Sequence, residues 1–224
     1  VSAVIDALAA ECAAFCSALD GVTATDWQRT TNCPPWDVKE LAAHVYGSTM
    51  VDPSRLSPPD GAPVVEAADY YRRAVRATTE YRRDNVEHWQ RFASRFGSPE
   101  DVVEACVRDW PPMIERLRTE DPQRLIGMRW GVAMTLDDYL VSRVIGVAAH
   151  GVDVAITLGL PRRTTPEALR VARPALVSLL GEEPRSELAW SDQDLLETGT
   201  GRRALTDRER AILAAAVSRF PLLS

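Results

Sequence analysis

Apolar residues recur at three- and four-residue spacing along most of the chain, so the pattern predicts helices rather than strands. Ile5, Leu8, Cys12, Phe15, Cys16 and Leu19 form one stripe over 3–19, and Gly21 stops that helix. Pro34 and Pro35 precede Trp36, Val38, Leu41, Ala42 and Val45, which predicts a second helix from near Trp36 toward Met50 with His44 on its border. Prolines, glycine and aspartates from Pro53 to Pro63 describe an irregular loop of the kind that walls a site. A third, long helix is expected over 65–96, with Tyr71, Val75, Val86, Trp89 and Phe92 inward and Arg72, Arg73, Arg76, Arg82 and Arg83 as a solvated face. Ser98-Pro99-Glu100-Asp101 opens a fourth, which Pro111 and Pro112 are expected to kink or interrupt before it resumes through Leu117.

Thr135 and Asp138 resemble a capping box at the start of a helix over 136–158. Its apolar residues fall on two arcs, one with Leu136, Leu140, Val147 and Val154, the other with Val141, Val144, Ile145, Val152 and Ile156. Between them runs a narrow stripe of Tyr139, Arg143, Gly146, His150 and Asp153. A helix apolar almost all round is buried, and ionisable groups on it need partners, so this stripe is expected to face an internal polar cavity. Thr165-Pro166-Glu167 opens a later helix ending at Gly181, and Thr206 with Glu209 caps a last one ending before Pro221. Residues 188–205 read as short extended pieces and turns. Gly199 and Gly201 lack the preceding strand and the lysine of a phosphate loop and read as a turn.

The 224 residues are 46% hydrophobic and 26% charged, enough for one core, and the net charge of -6 leaves no electrostatic footprint for nucleic acid. Lys39 is the single lysine beside 25 arginines, a bias that with the alanine richness matches a GC-rich genome. The first basic residue is Arg29, and Asp6 and Glu11 break the first apolar run, so neither a signal peptide nor a membrane anchor is expected and the chain should be soluble and cytoplasmic. Cys12, Cys16, Cys33 and Cys106 form no CxxC pair and are too sparse for a disulfide framework.

Of three histidines, His88 lies in a charged stretch and reads as a surface or rim residue rather than a ligand. His44 closes a dense pattern, Thr31-Asn32-Cys33-Pro34-Pro35-Trp36-Asp37-Val38-Lys39-Glu40-Leu41-Ala42-Ala43-His44, and residues 143–153 read Arg-x-x-Gly-x-x-x-His-Gly-x-Asp. Together with Tyr70-Tyr71-Arg72-Arg73, Gly201-Arg202-Arg203-Ala204-Leu205-Thr206 and Phe220-Pro221-Leu222-Leu223, these resemble the mycothiol-dependent maleylpyruvate isomerase family of the DinB-like superfamily.

The resemblance implies a mainly helical DinB-like four-helix bundle over 1–160 with a small helical C-terminal extension over 161–224 packed on it. It implies one divalent metal, usually zinc, held by a histidine on the second helix and a Glu-x-x-x-His pair on the last bundle helix. His44 and His150 match those histidines, but the glutamate position is Gly146. Asp153, a water or the substrate would have to complete the set His44, His150 and Asp153. His150 and Arg143 are the expected catalytic pair, and Arg143 with Tyr139 the expected contacts to the cofactor, mycothiol. Arg143 suits a carboxylate clamp and equally a structural ion pair with Asp137 or Asp138. The partners implied are a low-molecular-weight thiol and an electrophilic small molecule. The room left by Gly146 favours S-transfer to a bulky acceptor over cis–trans isomerisation of a diacid. A metal-free binding protein on the same fold is the reading from another class.

Overall fold

In a computed structural model that describes residues 3–50, 52–73, 76 and 78–223, helices follow one another along nearly the whole chain. They are α1 (Ala3–Leu19), α2 (Ala24–Trp27), α3 (Val38–Thr49), α4 (Ala67–Tyr71), α5 (Thr79–Ala93), α6 (Pro99–Leu117), α7 (Leu136–Leu158), α8 (Pro166–Leu180), α9 (Asp192–Gly199) and α10 (Asp207–Leu213). One short antiparallel hairpin, β1 (Leu125–Gly127) with β2 (Ala133–Thr135), pairs Ile126 with Met134.

Helices α1, α7, α3 and α6 close a ring in which each packs against the next and α6 returns to α1, giving the DinB-like four-helix bundle. The starts are set by side-chain caps: Asp37 with Glu40 for α3, Ser98 with Asp101 for α6, and Thr135 accepting from the Asp138 amide for α7. Helix α7 ends where Gly159 turns left-handed at φ +70°, a conformation in which a Cβ would be strained. Both apolar arcs of α7 are covered: Leu136, Leu140, Val144 and Val147 pack into the bundle core, while Ile145 and Ala148 join a second core with Leu176 and Leu180 of α8 and Leu195 and Leu196 of α9. By length and composition α7 would also cross a membrane, but most of it is buried, the pattern of a core helix.

Three expectations are corrected. The single helix over 65–96 is two helices, α4 and α5, separated after Tyr71 and restarted by the Thr78 cap; Val75 lies outside the described residues. Helix α6 runs unbroken through Pro111 and Pro112: the carbonyls that lose their donors belong to Val107 and Arg108, exposed residues on the solvent side, while Trp110, Met113, Ile114 and Leu117 anchor the other face. The stretch 188–205 contains α9, opened by a Ser191–Asp194 capping box. Gly201 does sit in a turn, at φ +78°.

Candidate active site

A cavity of about 700 Å³ opens between α3, α5, α7 and the β-hairpin. The polar stripe of α7 forms one wall, with Tyr139, Arg143, Gly146 and His150 all lining it. Helix α3 contributes His44 and Ser48, α5 contributes Trp89, and Cys33 and Arg202 reach in from loops. His88 is exposed on α5 with its ring beside Trp89 and is not among the cavity-lining residues.

His44 and His150, 106 positions apart, meet edge to face with ring centroids 4.9 Å apart. His44 is wedged between Trp36 at 4.8 Å and Trp89 at 4.6 Å, and its Nδ1 is buried without a hydrogen-bond partner among the described residues. Burial first, then the charges of His150 and Arg143, hold its pKa well below the ordinary histidine value, so the ring is neutral.

His150 is oriented from behind. Its Nδ1 lies 2.9 Å from Oδ2 of Asp153, which is fully buried one turn on. Arg202 clamps the same carboxylate, with Nη2 2.6 Å from Oδ2 and Nε 3.0 Å from Oδ1, while Asn32 donates to Oδ1 at 3.4 Å. Burial pushes the Asp153 carboxyl up, but the hydrogen bond with His150 and the Arg202 charge outweigh it and hold the group well below the usual carboxylate range. An ionised carboxylate only accepts, so Nδ1 of His150 donates in this pair and Asp153 leaves the other ring nitrogen unengaged.

Cys33 donates its S–H to Asp153 Oδ2 at 3.0 Å and lies 3.9 Å from His150 Nδ1. Burial, then the Asp153 charge, push this thiol up to about 12. Sequence reasoning missed Cys33 and Arg202 as site residues. The signal was a buried aspartate on α7 that required a cation, which the Gly201-Arg202-Arg203 turn supplies from 49 residues away.

Arg143 pairs with neither Asp137 nor Asp138 and has no carboxylate partner among the described residues. It donates to the Ser48 carbonyl at 3.2 Å and to Ser142 Oγ at 3.1 and 3.2 Å, and stacks 5.0 Å above the Tyr139 ring. Arg76, expected in a solvated face, lies against the rings of Tyr70 and Tyr71 on the cavity wall instead.

The donor set decides what ion these residues fit. A zinc site of the catalytic kind takes three protein ligands and leaves a fourth position open. Around His44 and His150 the third position is Gly146, which offers none; a Cβ built there meets nothing within 4 Å, so the place of the missing side chain is open space. Ligand atoms of Cys33, His150 and Asp153 lie within 4.8 Å of one another, close enough to hold an ion, but His44 is not in that group. There Arg202 already supplies the positive charge, and Asp153 is the group that fixes His150 rather than a partner of His44. The set around His44 is one ligand short, and the Cys33, His150 and Asp153 group could hold an ion only in competition with Arg202.

No curated protein and no solved structure matches this chain. The mycothiol maleylpyruvate isomerase N-terminal domain family does, over residues 8–155, a stretch that holds both histidines, Asp153 and Cys33 but not Arg202. With two thirds of its length inside that match, the chain belongs to the mycothiol maleylpyruvate isomerase N-terminal domain family.

Proposed function

We propose that this chain is a mycothiol-dependent S-transferase, joining the sulfur of a low-molecular-weight thiol to an electrophilic carbon of a small molecule. The observation that carries the reading is the contact of His44 and His150 on the wall of a large cavity, beside the open space at Gly146.

The chemistry starts with the thiol proton. The nitrogen of His150 that Asp153 leaves free accepts it, and the S–H pair stays on sulfur as a thiolate, the stronger nucleophile. That electron pair forms the C–S bond while the acceptor's π electrons move onto its conjugated system. The imidazolium then returns the proton to the adduct, or to a leaving group where one departs. His44, neutral and walled by two tryptophans, keeps water and a second positive charge away from the reacting sulfur. Cys33 stays protonated and does not compete with the incoming thiol. Arg143 and Tyr139 bind the partner molecule from the same helix face. A divalent ion, where present in such a site, supplies Lewis-acid activation of the thiol; with Gly146 in place of a ligand, the base is assigned to His150 instead.

Addition, rotation and elimination would give cis–trans isomerisation on the same residues, the reading that family membership favours. Transfer is preferred because the space at Gly146 widens the cavity beyond the needs of a small diacid. The test is a thiol-consumption assay with mycothiol and an electrophilic aromatic acceptor, run beside maleylpyruvate. Thiol-dependent adduct formation, lost in His150→Gln, supports transfer. Faster turnover of maleylpyruvate than of any acceptor overturns it in favour of isomerisation, and no turnover of either leaves a ligand-binding protein.

A further inference from the structure

We propose that the Arg143 and Tyr139 end of the cavity is a subsite for the carboxylate of an aromatic or extended conjugated acid, whose rings lie among the cavity's tyrosines and tryptophans. The inference rests on the proposed transfer and names the class of acceptor.

Three observations carry it. First, the cavity lining holds five arginines, Arg76, Arg82, Arg129, Arg143 and Arg202, and among the described residues no aspartate or glutamate. Arg202 is neutralised by Asp153 behind the wall, but Arg143 meets no carboxylate among the described residues. A guanidinium has five N–H donors; Arg143 spends three on Ser48 and Ser142, leaving two. Second, the hydroxyl of Tyr139, a residue 3% exposed, is buried with no hydrogen-bond partner among the described residues and belongs to a cavity-lining side chain. A buried unsatisfied hydroxyl is costly to the fold unless a ligand completes it. Burial also raises the Tyr139 pKa, so it remains an O–H donor. Two N–H groups on a guanidinium stacked over the Tyr139 ring, with the O–H of that ring, match the two oxygens of a carboxylate.

Third, the rest of the wall is aromatic. Trp36 and Trp89 flank His44, and Tyr70, Tyr71 and Tyr81 also line the cavity, with Arg76 over all three rings. A small aliphatic diacid would cover few of these faces, whereas a planar aromatic body stacks on them and displaces water from apolar surface. Held by its carboxylate at Arg143, about two helical turns along α7 from His150, such a molecule points its far end at the two imidazoles.

Titration calorimetry on the whole protein tests this with cinnamate, its neutral isostere cinnamamide, and maleate as the small diacid. Cinnamate is expected to bind at least tenfold tighter than either. Arg143→Gln should weaken cinnamate about tenfold or more and leave cinnamamide unchanged, the loss of a charge-assisted pair. Tyr139→Phe should weaken it about threefold or more. Arg143→Lys, which keeps the charge, guards against a folding artefact and should retain part of the affinity. Cinnamamide binding as well as cinnamate, maleate binding as tightly, or Arg143→Gln leaving cinnamate unaffected would each overturn the proposal. If cinnamate binds as expected while no acceptor is thiolated, the subsite stands and the transferase reading falls.

Discussion

Replacing Gly146 by glutamate restores the residue type whose absence separates this site from a three-ligand metal centre, and its consequences can be worked out in two parts. A Cβ at 146 meets nothing within 4 Å, and the position lines the cavity, so the side chain starts into open space. The position lies in the interior of α7, where glycine costs about 0.5–1 kcal/mol relative to a good helix former. Without metal the variant should therefore be more stable by about that amount, roughly 1–4 °C in melting temperature for a chain of this size. With His44 and His150 already in contact, a carboxylate one turn before His150 completes a three-ligand set. At zinc a hundredfold above its dissociation constant, binding to the folded state adds about 2.7 kcal/mol, or roughly 5–11 °C. Scanning fluorimetry with and without zinc, together with metal content after purification free of chelator, reads both effects. The reasoning is refuted if the natural protein already carries one equivalent of zinc and shifts as far as Gly146→Glu, or if the variant binds none.

The remaining predictions concern the frame around the site. Asp153→Ala leaves Arg202, whose side chain is 14% exposed, without its counter-charge, and should cost about 3–5 kcal/mol in urea unfolding. Because the folded Asp153 pKa is depressed, its contribution is complete above the unfolded value near 4 and is lost as pH falls below that; Asp153→Asn should flatten the acid limb of the stability profile, and an unchanged limb counts against the ion pair. Cys33, with its thiol up to about 12, should alkylate far more slowly at pH 8 than a free cysteine, as mass spectrometry of its peptide will show; rapid labelling would mean that its bond to Asp153 does not persist. Gly127→Ala places a Cβ 2.4 Å from the Ser57 carbonyl oxygen at the cavity wall, and should destabilise the fold by about 1–3 kcal/mol; a neutral change would show the loop can yield freely.

What the sequence made legible follows from how local each signal is. Thr135, Ser98 and Thr165 mark helix starts because a side-chain oxygen three residues from an amide is a local arrangement, and the structure begins helices beside all three. The break between Tyr71 and Thr79 carried the same mark in Thr78, which accepts from the Tyr81 amide, but arginines continue through it at helical spacing and hid it, and Arg76 is drawn to tyrosines whose positions only the fold sets. The α7 stripe was readable because an apolar helix exposes its polar exceptions, so Tyr139, Arg143 and His150 were found together. Cys33 stood inside the quoted pattern, yet its pairing with Asp153 crosses 120 positions, and Arg202 comes from a turn that looked purely conformational. Such partners are chosen by how distant segments pack against α7 and have no local signature.

The central claim is that His44 and His150 act as one reacting centre. The most direct test is a double-mutant cycle on thiol transfer, measuring kcat/KM for His44→Ala, His150→Ala and the pair, with folding checked by circular dichroism. For side chains whose rings meet at 4.9 Å and serve one step, the double variant should lose no more than about the larger single loss. Losses that multiply, or a His44→Ala protein with natural turnover, would contradict the account.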